Sequence, residues 1–167
     1  MGWSAWYPTS AEPDPAPPKH FFDLGAVAHN GPIADTAKRP LVLLSHGTGG
    51  VTESLGWLAR GLVKAGYITI GVNHHGNSGA EPYMAEGFMC WWERTADLTV
   101  LLDHMANDGS FAHVIDVDRV ATVGFFPWGL HEPRARGCAH IHGRILGVAG
   151  VIARAIAWPE RVRRYDG

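Results

Sequence analysis

"PLVLLSHGTGG", Pro40 to Gly50, is the stretch on which the fold turns. Its apolar run, "LVLLSH", has strand length and no polar alternation, the pattern of a parallel strand covered on both faces. It stops at "GTGG", where glycines permit a close turn and a positive φ that other residues resist. "TESLGWLARGLVKAGY" follows, with Leu55, Leu58, Leu62 and Val63 near helical spacing. Thr52 or Ser54 would cap this helix and Gly66 would stop it. The unit reads as strand, tight turn, helix.

Outward from it the alternation continues. "YITIGVNHH" gives the next strand and "GNSGAEPYMAEGFM" a polar, Gly-rich loop. "CWWERTADLTVLLDHMAND" places Trp91, Leu98, Leu101, Leu102 and Met105 on one helical side, with Glu93, Arg94, Asp97 and Asp103 mostly off it. "DVDRVATVGF" is a further strand. Strands alternating with helices of this length form βαβ units, so the expected fold is α/β, a mostly parallel sheet with helices on both faces and right-handed crossovers. Towards the N-terminus, "TSAEPDPAPPKH" (residues 9–20) is a Pro-rich surface loop, flanked by edge strands at "WYP" and "FFDLGAV".

Composition bounds the function. A chain of 167 residues suits one domain. A hydrophobic fraction of 46%, a charged fraction of 18% and a net charge of −2 fit a globular protein and argue against a nucleic-acid binder. No basic n-region precedes an apolar core and no segment is apolar enough to span a bilayer, so the chain as written is expected to be cytoplasmic, with no membrane partner. Cys90 and Cys138 have no metal-ligand spacing and imply no disulfide.

The charges are unevenly placed. Met1 to Phe126 carries 7 Lys/Arg against 13 Asp/Glu, whereas Pro127 to Gly167 carries 7 Arg against 3 acids. The tail has no sustained periodicity, and in "ILGVAGVIARAIAW" Gly147 and Gly150 weaken a helix while Arg154 argues against a membrane span. Such disagreement between local choices marks a poorly specified segment. Two units result: residues 1–126, and an atypical Arg-rich tail, 127–167. A basic tail can also serve as an interaction module.

In order and spacing, "RPLVLLSHGTGG", "LARGLVKAGYITIGVNHHGNS", "WWERTADLTVLLD" and "DVDRVATVGF" resemble the α/β-hydrolase family. The likeness is to predicted dienelactone hydrolases and bacterial relatives of platelet-activating-factor acetylhydrolase, and it covers residues 39–126. The resemblance implies an α/β-hydrolase-like domain truncated at its nucleophile elbow, a small-molecule ester or lactone as substrate, and no cofactor. It implies that Thr48 offers an oxyanion N–H while Gly47 and Gly49 let the backbone approach; by residue type alone the same loop is a tight turn. It makes His46 structural. Arg94 and Asp97, three apart, can pair along their helix, and the resemblance implies a tether from helix to loop. Trp91 and Trp92 read as core or pocket wall. His46, His74 and His75 invite a metal reading, but adjacent strand residues point to opposite faces, and the expectation is no metal.

The family's elbow is G-x-S-x-G. Gly124 and Phe125 match its first half, Phe126 occupies the expected nucleophile position, and Pro127 stands where an oxyanion N–H is needed. Phenylalanine cannot attack a carbonyl, and proline has no N–H. No Ser or Thr occurs from Gly124 onward, and Asp166, His140 and His142 have no triad context. The chain is therefore expected to lack serine-hydrolase turnover, or to persist as an acyl-binding remnant. Reading one base later from Phe126, the codon choices TTC for Phe126 and CCT for Pro127, followed by TGG and GGN, yield Ser-Leu-Gly, which after Gly124 and Phe125 completes Gly-Phe-Ser-Leu-Gly. This predicts a frameshift near Phe126, checked by sequencing the gene: hydrolase-like sequence in the shifted frame is expected, and an early stop there refutes it.

Overall fold

The computed structural model describes residues 2–15, 28, 30–34, 36–90, 92–107 and 110–125. The chain runs through β1 (Gly2–Trp6), β2 (Arg39–Ser45), a 3-10 turn (Thr52–Leu55), α1 (Gly56–Lys64), β3 (Ile68–Asn73), α2 (Ala85–Met89), α3 (Glu93–Asn107) and β4 (Ile115–Gly124). The strands form one sheet in the order β1-β3-β2-β4, with β2 parallel to both its neighbours. From β2 the chain passes to β3 on one side and later to β4 on the other, which makes the gap between β2 and β4 a topological switch point.

Side-chain alternation along β2 divides the core in two. Leu41 and Leu43, in register with Ile68 and Ile70 on β3, pack against Leu98, Leu101, Leu102 and Met105 of α3. Val42 and Leu44 point the other way, onto Leu55, Ala59 and Leu62 beside and within α1. All four β2 residues are fully buried, which explains why the run shows no polar alternation. α1 ends as Gly66, at φ 96°, donates its N–H to the Val63 carbonyl and Tyr67 donates to Leu62, a left-handed stop that glycine adopts without strain.

The sheet is mostly parallel, as expected, but other expectations need correction. β1 pairs antiparallel with β3. That strand lies at Gly2–Trp6 and stops before "WYP" is complete, since Pro8 cannot donate to a ladder. Neither Thr52 nor Ser54 caps a helix by its side chain: Val51 precedes the 3-10 turn, and the Ser54 hydroxyl donates back to the Val51 carbonyl at 2.6 Å. The loop after β3 contains the short helix α2. The strand expected at "FFDLGAV", Trp91, Phe126, Pro127, Cys138 and the whole 127–167 tail lie outside the described residues.

Among the described residues β4 is an edge of the sheet. Within the sheet, Thr69 is fully buried between Trp6 and Val42, and its hydroxyl has no hydrogen-bond partner among the described residues. Replacing such a group by an apolar one of the same shape removes a desolvation penalty. Thr69→Val is expected to stabilise the fold by about 1 kcal/mol, read as a higher midpoint in urea denaturation.

Candidate active site

The C-terminal ends of β2, β3 and β4 meet at the switch point, and almost every polar side chain buried in the sheet lies there. β2 delivers Ser45, His46 and the Gly47–Gly50 turn. The Gly50 N–H donates to the Gly47 carbonyl at 2.9 Å, closing the turn, and Gly49 takes a φ of 68°. Asn77, buried in the loop after β3, accepts the Gly49 N–H at 2.8 Å and donates through its own amide to the Gly87 carbonyl at 2.7 Å. From outside, the Tyr83 hydroxyl donates to the Gly49 carbonyl at 2.9 Å. Thr48, exposed at the tip, has an N–H with no acceptor among the described residues.

β4 brings Gly124 and Phe125 alongside. The Phe125 N–H donates to the Ser45 carbonyl at 3.2 Å, and a Cβ on Gly47 would lie 3.6 Å from the Phe125 Cβ. Phe125 is exposed. A side chain at Gly124 would collide with Ser45, lying 2.6 Å from its carbonyl oxygen and 2.8 Å from its Cβ, so only glycine allows this close approach.

Behind the turn sits a chain of buried polar groups. His46 is fully buried with both ring nitrogens engaged: Nδ1–H donates to the Gly47 carbonyl at 2.7 Å, and Nε2 accepts the His74 backbone N–H at 3.1 Å. Burial outweighs the Gly47 bond and holds its pKa down to about 4, with the neighbouring His74 and Arg94 adding to the depression. His74, also buried, contacts Ser45 Oγ through Nε2 at 2.9 Å and Asp97 through Nδ1 at 2.7 Å. Its pKa is lowered as well, burial exceeding the opposing effect of Asp97.

Arg94 and Asp97 do not pair along their helix. Arg94, 7% exposed, sends Nη2 to Ser45 Oγ at 2.9 Å and to the His46 carbonyl, while Asp97 turns to His74. Burial lowers the pKa of Arg94 against the attraction of Asp97. His75 faces solvent, opposite to His74, and meets Glu81 at 2.9 Å. Among the described residues no three His, Cys, Asp or Glu side chains converge as metal ligands would. Sequence reading overlooked Ser45, Asn77 and Tyr83. The available signal was positional: a polar residue at the end of an apolar central strand, and polar residues just after its neighbour.

His46 makes stability pH-dependent. Unfolded, it protonates near 6.5; folded, only near 4, so between these values the unfolded chain binds more protons. Stability is expected to fall as pH drops from 6.5 towards 4, by an amount on the order of 3 kcal/mol from this residue. His74, shifted the same way, steepens the loss. Urea midpoints measured across this range check it, and His46→Gln is expected to flatten the curve.

Neither protein-family models nor curated proteins match the chain. Among solved structures it is similar to a ferulic acid esterase from Streptomyces cinnamoneus, with a TM-score of 0.56 and 24% identity, over 73% of this chain and 43% of the esterase. The chain thus spans less than half the length of that enzyme. With its four-stranded mixed sheet and flanking helices, the described part has an esterase-like α/β fold of the α/β-hydrolase type.

Proposed function

We propose that this chain derives from serine-dependent carboxylic ester or lactone hydrolases of the dienelactone-hydrolase kind, and that its elbow position no longer performs acyl transfer. The observation that carries this reading is the meeting of two segments. β4 ends with Gly124 and Phe125 against Ser45 and Gly47, and the tip of the Gly47–Gly50 turn offers a Thr48 N–H that no acceptor engages among the described residues. In an acyl-transfer enzyme a nucleophile emerging at this junction attacks a carbonyl whose oxygen is met by preorganised N–H donors. The esterase fold of the similar structure supports the same ancestry.

The next residues in the sequence are Phe126 and Pro127. Neither chemical requirement survives there: an aryl side chain has no lone pair to attack with, and a proline nitrogen has no proton to donate. What remains on the Thr48 side is a binding element for the carbonyl of a small ester or lactone.

Two measurements test this. Phe126→Ala is expected to leave the rate of p-nitrophenyl acetate hydrolysis unchanged; a lower rate would mean that position 126 takes part. Titration with a short ester or lactone, followed by backbone amide NMR, is expected to shift the Thr48 resonance first. If Thr48 stays still while saturable shifts appear elsewhere, the proposed site is wrong.

A further inference from the structure

We propose that Ser45, His74, Asp97 and Arg94 form a separate acyl-transfer centre, independent of the elbow, in which Ser45 is the nucleophile and the substrate is a short, slender carboxylic ester.

The direction of every hydrogen bond in the group follows from its chemistry. A guanidinium can only donate, so Arg94 Nη2 donates to Ser45 Oγ at 2.9 Å. The Ser45 hydroxyl proton is then free to point at His74 Nε2, 2.9 Å away. Asp97 accepts from His74 Nδ1 at 2.7 Å, so Nδ1 carries the ring proton and Nε2 presents its lone pair. One assignment satisfies all three contacts. It is the polarity of a serine nucleophile, a histidine base and a carboxylate that holds the base in its working tautomer. The groups facing His74 are Arg94 and Asp97 from α3 and His46 from the loop after β2, its ring centroid 5.0 Å away. Burial keeps the imidazole neutral, the form a base needs.

Arg94 supplies the fourth part. Its Nη1 is buried and has no hydrogen-bond partner among the described residues, on the same guanidinium whose Nη2 touches Ser45 Oγ. Buried donors without acceptors are rare, and this one fits the carbonyl oxygen of an ester brought to Ser45. As that oxygen becomes an alkoxide, the guanidinium meets the charge in a site screened from water. Room is limited: Ser45 is half-buried, and its neighbours in register on the same face are Val72 and Gly124. The Gly124 backbone packs closely against Ser45, so the approach to Oγ on that side is narrow, which suits an acetyl group better than a bulky acyl chain.

The steps balance. Ser45 Oγ bonds to the carbonyl carbon and its proton passes to His74 Nε2. The carbon–oxygen bond to the alcohol breaks, and the alcohol leaves with that proton. Water then attacks the acyl-Ser45, giving a proton to Nε2; the Oγ–carbon bond breaks, Ser45 recovers its proton and the carboxylic acid departs.

The test uses the full chain and an alkyl fluorophosphonate, which replaces its fluoride with a serine oxygen. Peptide mass spectrometry is expected to find one equivalent on Ser45, and none after Ser45→Ala. Because Asp97 lies partly in solvent on α3, Asp97→Asn is expected to keep its circular dichroism. It turns the ring to the wrong tautomer and slows labelling about 100-fold or more. Wild-type labelling is expected to persist at pH values where an ordinary imidazole is mostly protonated. No label on the folded wild type, label on another residue, or an Asp97→Asn rate equal to wild type would each overturn the proposal.

Discussion

A guanidinium removed from water must be surrounded by acceptors, and Arg94 imposes that demand on everything around it. It rises from the first turn of α3 into the sheet, where the available acceptors are the Ser45 hydroxyl and the His46 carbonyl. Because both belong to the end of β2, the helix is pinned to the central strand at the point where the chain leaves the sheet. A buried charge held through Nη2 alone tolerates little displacement, since moving either element strands it further. The turn that follows, Gly47–Gly50, starts from this anchored position.

The anchoring extends sideways through two histidines. His46 links its own loop to the backbone of β3 through His74, and His74 links β3 to α3 through Asp97. Three neighbouring elements are thus joined by a continuous line of hydrogen bonds behind the switch point. Asn77 and Tyr83 brace the turn from the opposite side. Polar groups of this kind are costly unless all are satisfied, and their concentration at the C-terminal ends of the strands separates the site from the apolar core below it.

The two proposals place two chemistries at one end of the sheet. On the proposed reading, the Gly47–Gly50 turn and the end of β4 stand as an oxyanion loop facing an elbow, and Phe126 and Pro127 deprive that elbow of its nucleophile and one donor. Directly behind it, Ser45 is hydrogen-bonded to a neutral imidazole and to an arginine. The two proposals are independent, because they depend on different residues of the same strand ends.

The sequence by itself determined the α/β class, because apolar runs without alternation in β2 and β3, separated by helix-period segments, admit few other arrangements. It also determined that position 126 cannot attack a carbonyl, a property of the residue type alone. Caps were misread because the 3-10 turn after Val51 begins from backbone geometry, which side-chain preference at Thr52 and Ser54 does not report. The pairing of Arg94 with Asp97 was misread because spacing along a helix shows which residues are near, not which stronger acceptor lies across the interface. Only the tertiary structure decided those partners. Ser45, His74 and Asp97 lie 29 and 23 residues apart in the chain. They meet because β2 and β3 are parallel neighbours under α3, and no local pattern encodes such a contact.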